Sequence, residues 1–287
     1  MTYKELDLAL LQQWQGRQEV AWDIVTAFPV RALAATLEAP YAPSGATGDA
    51  LPPLWHWLYF LPLHAQSALG ADGHAKKGGF LPPVPLQRRM WAGGRFGFAA
   101  PLRVGEQMKK ISTITSVQGK DGRSGRLVFV TVRHEIAVGG EARLWEEHDI
   151  VYRDAPAPDA PPPAPHKAPG GAWRRRIVPD DVLLFRYSAL TFNGHRIHYA
   201  RRYVTEVEGY PGLVVHGPLI ATLLLDLLQR ERPGARVVAF AFRAVRPTFD
   251  TGAFFVHGEP HADGKTVRLW ASDADGWLTM DASATLA

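Results

Sequence analysis

At 287 residues and 46% hydrophobic, with a formal net charge of +4, the chain can bury the core of one large or two modest domains. It has no cysteine, which excludes disulfides, a thiol nucleophile and a thiolate metal site. No apolar run approaches the roughly 20 residues that span a bilayer, and Met1-Thr-Tyr-Lys-Glu-Leu-Asp lacks the basic-then-apolar order of a signal peptide, so a soluble, cytoplasmic protein without a membrane partner is expected.

In chain order, Val30 to Leu37 reads as a helical stretch, and Pro53 to Phe60 as a short aromatic one. Its Trp55-His-Trp57 cluster suits a core or a pocket wall. Four strand-like runs follow, at 95–104, 107–117, 127–137 and 142–152, with Asp121-Gly122 and Gly139-Gly140 as turn signals. Residues 154–171 form a Pro/Ala-rich linker, extended and semi-rigid. Beyond it, Leu219, Ile220, Leu223, Leu224, Leu227 and Leu228 recur at helical spacing, so a helix is expected over 218–231, stopped by Pro233-Gly234. A second meander then runs through 237–245, 253–259, 266–272 and 277–284. Pro101 and Pro247 hold comparable early positions in the two meanders, suiting edges or bends.

This weak duplication divides the chain into 1–153, the linker 154–171, and 172–287. The pattern by itself specifies an α+β class. The basic groups Arg88-Arg89, Lys109-Lys110, Arg174-Arg175-Arg176 and Arg201-Arg202 read as solvated faces. No nucleic-acid reader motif accompanies them, and no nucleic-acid partner is expected.

The chemistry concentrates at Thr191-Phe-Asn-Gly-His-Arg-Ile-His198-Tyr-Ala and Gly212-Leu-Val-Val-His216-Gly217-Pro218-Leu219. Two histidines three apart stand in a polar turn ahead of a helix start, where Pro218 fits because its missing N–H needs no partner. Such a start points free N–H groups and about half an elementary positive charge back at the turn. That is equipment for holding an oxyanion beside a general base.

The pattern Ser188…Asn193…His198…Val215-His216-Gly217 resembles the hydratase loop of the MaoC-like hot dog (R)-specific enoyl-CoA hydratases. It is most similar to the branch containing mesaconyl-C4-CoA and itaconyl-CoA hydratases and the mitochondrial 3-hydroxyacyl-thioester dehydratases. The run Gly78-Gly-Phe-Leu-Pro-Pro-Val-Pro-Leu-Gln-Arg-Arg-Met-Trp-Ala-Gly-Gly94 looks like that branch too. The resemblance implies a double hot dog, two helix-on-antiparallel-sheet units in one chain. The histidine turn lies in the second half alone, so one site per chain is expected at the seam.

The resemblance also implies reversible hydration of an α,β-unsaturated acyl-CoA, with no cofactor beyond the coenzyme A of the substrate and no metal. His198 is the expected base, since imidazole titrates near working pH, and Gly217 N–H the expected oxyanion donor. Related (R)-hydratases have aspartate where this chain has Asn193, and often aspartate where it has Ala200. Asparagine, which the resembled branch often shares, holds water or the substrate carbonyl without taking a proton. Glu206 or Glu208 could assist His198.

Dicarboxylic acyl groups need a cation for their free carboxylate, for which Arg196, Arg88 and Arg89 are candidates. Arg243 and Arg246 are candidates for the CoA phosphates. His195, Val215 and His216 complete the expected substrate contacts, with His216 shaping the helix start. Trp91 is read as core packing, with the ligand tunnel as its alternative. A three-histidine zinc site from His195, His198 and His216 is a weaker reading. The alternatives to a hydratase of short dicarboxylic acyl groups are a fatty-acid-type dehydratase, a thioesterase and a non-catalytic acyl-CoA-binding module. A homodimer is a possible assembly.

Overall fold

The computed structural model describes residues 6–86, 88–122, 125–154 and 166–287. Ten strands form one antiparallel sheet. The first half contributes β1 (Gln18–Ile24), β2 (Arg88–Phe98), β3 (Gln107–Gly122), β4 (Gly125–Val138) and β5 (Glu141–Arg153). The second contributes β6 (Trp173–Ile177), β7 (Val237–Ala244), β8 (Phe254–Pro260), β9 (Thr266–Ser272) and β10 (Leu278–Leu286).

The order β1-β3-β4-β5-β2-β7-β10-β9-β8-β6 makes the halves topological copies, because adding five to 1-3-4-5-2 gives 6-8-9-10-7, read inward from each edge. They meet at β2 and β7, which pair from Gly93↔Arg243 to Gly97↔Ala239. A Cβ on Gly93 would stand 2.6 Å from the Phe242 carbonyl oxygen, so glycine lets the seam close. This is the double hot dog.

Among the described residues the α-helices are α1 (Leu8–Gln12), α2 (Ala27–Leu37), α3 (Asp181–Leu190), α4 (Arg201–Glu206) and α5 (Gly217–Glu231). The expected helix is α5, buried along Leu219, Ile220, Leu223, Leu224, Leu227 and Leu228 and packed on β6, β8 and β9. Val30 to Leu37 lies in α2, whereas Pro53 to Phe60 forms just a 3-10 turn at Trp55–Leu58. Pro101 and Pro247 fall in the bends just after β2 and β7. The Pro/Ala run at 155–165 lies outside the described residues, and Lys167 pairs with Trp277 in the second half.

Several elements carry no strong local signal. β1 and β6 are edge strands with one partner each, so they need no continuous apolar pattern. β6 contains the arginine run read as a solvated face, which holds for the exposed Arg174 and Arg176 but not for Arg175. Arg174 stacks on Phe255 at 3.8 Å, while Arg175 turns to the other face and pairs with the buried Asp226 of α5. Asp226 also accepts from Tyr41 Oη and Arg230 Nε, both at 2.8 Å, and Arg230 donates to the Leu37 and Glu38 carbonyls at the end of α2. One carboxylate thus locks α5 to the first half.

Replacing Asp226 with alanine strands two half-buried guanidiniums. It is expected to cost about 3 kcal/mol, read as a lower urea midpoint with an unchanged slope. A midpoint within error of wild type would remove this node from the stability of the fold.

Candidate active site

α3 is capped by Asp180, whose Oδ1 accepts from Leu183 N at 2.8 Å, and it ends at Leu190. Phe192 then takes a left-handed φ of 48°, uncommon for a bulky residue. The bend lets Asn193 N donate to Ser188 O at 2.8 Å, and Asn193 Oδ1 accepts from His195 N at 3.0 Å. A 3-10 turn, Arg196–His198, follows. Val214 N donates to Ile197 O at 3.0 Å, which lays the segment before α5 alongside the turn. His198 Nδ1 lies 2.7 Å from the Val214 carbonyl oxygen. A carbonyl can just accept, so Nδ1 carries the proton and Nε2 keeps its lone pair.

Burial holds the imidazoles neutral. It pushes His198 down to about 4, against the Val214 carbonyl and with the help of nearby His74. His195 is pushed down to about 2 by burial and then by His74 and His198. His216 is held well below its ordinary value by burial and then by His198. The His216 ring stacks on His198 at 3.8 Å, and its Nε2 meets Ser188 Oγ at 2.8 Å. His216 is therefore the packed support that fixes the plane of His198.

Asn193, His195, Arg196, His198, Val215 and Gly217 share the wall of one cleft of ≈ 2290 Å³. At Gly217 no atom beyond its chain neighbours and its own helix backbone lies within 4 Å of where a Cβ would stand, and its φ is not positive. Packing does not demand glycine there; the bare backbone faces open space where a ligand can approach the helix start.

From the first half, Arg88 and Arg89 line the cleft, and Arg246 joins them from the second. Arg88 donates to Tyr210 Oη at 3.3 Å. Arg246 Nη1 is buried without a partner among the described residues. Arg196 Nη1 is bound to the Ala71 carbonyl at 3.1 Å, and its guanidinium lies over Tyr203.

Other expectations are corrected. His216 is fully buried and does not line the cleft, because its edge is turned to Ser188. Arg243 is exposed on β7, outside the cleft wall, since alternate strand positions face opposite ways. Glu206 pairs with Arg202 on the exposed face of α4, and Glu208 accepts from Tyr203 Oη at 2.9 Å; neither lines the cleft. Trp91, read as core with the ligand tunnel as its alternative, does both: it packs against the core and lines the cleft, its ring 4.0 Å from His148 and tilted by 38°. The three-histidine zinc reading is not met, because the groups of donor atoms lying within 4.8 Å of one another among the described residues include His195 but neither His198 nor His216.

Among the described residues, two other groups bring donor atoms within 4.8 Å of one another: Asp72, His74 and His195, and His134, Glu146 and His148. In the first, Asp72 Oδ2 and His74 Nδ1 are bonded at 2.9 Å. In the second, Glu146 Oε2 accepts from Trp57 Nε1 at 2.9 Å and meets His56 Nε2 at 3.1 Å. Burial alone would raise Glu146, but His148 and His56 hold it well below the usual carboxylate range. These residues were missed, since His74, His56 and His148 stand in no motif.

Fold and site define a double hot dog protein with a histidine turn and the start of a long buried helix on one cleft. The family described as hydroxyacyl-thioester dehydratase type 2 matches residues 54–250, and the chain belongs to that family. It is 47% identical over 277 residues to a mesaconyl-C(4)-CoA hydratase from Chloroflexus aurantiacus, covering 95% of this chain and 96% of the relative. It is 29% identical to the mitochondrial hydroxyacyl-thioester dehydratase type 2 of Schizosaccharomyces pombe, covering 79% and 85%. A Mycobacterium tuberculosis protein solved as a double hotdog fold superposes with a TM-score of 0.56 at 15% identity, covering 95% and 96%. The protein is an enzyme of the hydro-lyase class.

Proposed function

We propose that the enzyme adds water reversibly to a short dicarboxylic α,β-unsaturated acyl-CoA of the mesaconyl-C4 or itaconyl type, in the cytoplasm. The observation that carries this reading is a neutral imidazole, His198, with its Nε2 lone pair left for the same cleft as the bare Gly217 backbone. The water oxygen bonds to the β-carbon, and the π pair moves onto the thioester oxygen opposite Gly217 N–H. The released proton passes to His198 Nε2. The imidazolium then returns it to the α-carbon as the carbonyl re-forms, so a single group serves as base and acid. Asn193 has its Oδ1 committed to His195 N, which leaves its amide N–H groups to hold the substrate carbonyl or water.

Arg89 is the cation best placed for the free carboxylate. Of the three carboxylate candidates it alone lines the cleft with no guanidinium ion pair or bond to a backbone carbonyl among the described residues, whereas Arg88 lies 4.0 Å from Glu208 and Arg196 is partly engaged by Ala71. Replacing Arg89 with methionine is expected to lower kcat/KM on mesaconyl-CoA relative to crotonyl-CoA by about 10-fold or more, the worth of a charge-assisted bond. An unchanged ratio would remove Arg89 from carboxylate recognition.

The size of the cleft favours a second reading, dehydration of longer 3-hydroxyacyl thioesters, since ≈ 2290 Å³ exceeds what a five-carbon acyl group fills. The deciding measurement is loss of enoyl absorbance with crotonyl-, mesaconyl-, itaconyl- and a long-chain enoyl-CoA, with and without EDTA. Turnover strongest on a dicarboxylic thioester and indifferent to EDTA supports the first reading. Turnover strongest on the long chain supports the second. No turnover alongside tight thioester binding would move the protein to the binding-module reading.

A further inference from the structure

Water addition is best served by two acceptors on the attacking water, one to take a proton and one to aim the lone pair at carbon. In the histidine turn His198 Nε2 is one. Asn193 is a poor second, because its acceptor atom Oδ1 already takes the His195 N–H at 3.0 Å and has just one lone pair left. A second acceptor does stand against the turn, and it comes from the first half.

The segment Gly70-Ala-Asp-Gly-His74 is a tight loop, closed by Gly70 N donating to His74 O at 2.7 Å. It is docked on the histidine turn by Arg196 N donating to Asp72 O at 2.9 Å and Arg196 Nη1 donating to Ala71 O at 3.1 Å. Two glycines make the approach possible: Gly73 has a φ of +88°, and a Cβ on it would overlap the Gly194 carbonyl oxygen. The loop thereby delivers His74 to the cleft wall, with its ring 3.9 Å from His195, which in turn meets His198 edge-on at 5.4 Å.

Asp72 grips His74 twice, accepting from its backbone N at 3.1 Å through Oδ1 and pairing with Nδ1 at 2.9 Å through Oδ2. Burial pushes the Asp72 carboxyl up, but its bonds to His74 outweigh this and hold it below the usual range. An ionised carboxylate can just accept, so Nδ1 carries the proton and Nε2 presents a lone pair.

We propose that His74, oriented by Asp72, is the second water acceptor of this site, in place of the carboxylate that the turn lacks at Asn193. The inference rests on the hydratase reading. In hydration, one water O–H breaks toward His198 Nε2 as the oxygen bonds to the β-carbon. The other O–H stays hydrogen-bonded to His74 Nε2 and remains on the product hydroxyl. His74 is thus a catalytic residue that gains and loses no proton, and Asp72 is its positioning residue. The first half then has a part in the chemistry, and neither half holds a complete site.

The test is steady-state kinetics of the full chain on whichever enoyl-CoA the wild type hydrates best. His74→Ala is expected to lower kcat about 100-fold with KM within about threefold. His74→Gln, whose carbonyl can accept, is expected to recover at least about tenfold of that loss, and Asp72→Asn to lose about tenfold. The two near-isosteric variants carry the test if His74→Ala does not fold.

A kcat for His74→Ala within about twofold of wild type overturns the proposal. So does a loss in His74→Gln as deep as in His74→Ala, which would mark loop packing as the cause. One equivalent of metal on the purified wild type, lost in His74→Ala, overturns it in favour of a metal site at Asp72, His74 and His195. An inactive wild type overturns the hydratase reading itself, whereas an active wild type indifferent to His74 overturns this inference alone.

Discussion

His198→Ala is expected to lose hydratase turnover by about 1,000-fold, within the range that a positioned acid–base group contributes, while still binding the thioester. Its Nδ1 is held by the Val214 carbonyl and its plane by the parallel His216 ring, so the side chain has one free nitrogen and one orientation. Removing it takes away the proton acceptor while leaving the Gly217 backbone and the rest of the cleft wall in place. The effect should fall on kcat, with KM little changed. His198→Gln restores bulk but no base, and is expected to be no faster than the alanine variant. Retained turnover in either variant would exclude His198 as base.

Acid should unfold the protein well above the carboxylate range. Burial pushes His134 down to about 3, His195 to about 2 and His198 to about 4, from an ordinary value of 6.5. Above pH 6.5 these groups are neutral in both states, and the stability they contribute is fully present. As pH falls below 6.5, the unfolded chain takes up protons that the folded chain refuses. Each group then removes up to ~1.4 kcal/mol per pH unit until its folded value is reached. The three together amount to a loss on the order of 5 kcal/mol between pH 6.5 and 5. Urea titrations at pH 7.5 and pH 5 read this as a large drop in midpoint. Equal midpoints would mean that these imidazoles are reached by protons in the folded protein.

Catalysis should be less sensitive to acid than folding is. His198 remains the neutral base down to about pH 4, so kcat/KM over short assays is expected to hold until the fold itself is lost. Kinetic loss near pH 6.5 without unfolding would contradict the buried setting of His198.

Some of this was legible in the chain and some was not. The run from Leu219 to Leu228 specified α5, because a buried helix face repeats at fixed short spacing. The two meanders were legible for the same reason, through alternation and glycine turns a few residues apart, although the first run, 95–104, meets β2 just over 95–98. The turn from Asn193 to His198 announced itself through residue types that chemistry rarely places together by chance.

By itself, then, the sequence determined the elements with a short-range period, the family they resemble, and the second-half residues on the cleft. The tertiary structure alone decided which arginines face the cleft, putting Arg89 and Arg246 on its wall and leaving Arg243 outside. It also turned His216 from a ligand contact into the support of His198, and placed the Arg174–Arg176 run on an edge strand whose Arg175 grips Asp226. Above all it brought Asp72 and His74 to the histidine turn, through contacts such as Arg196 to Ala71 that join residues 125 positions apart. Periodicity and turn chemistry act over a few residues and leave a local record. A contact made when two halves close along the β2–β7 seam depends on the whole sheet, and no local pattern encodes it.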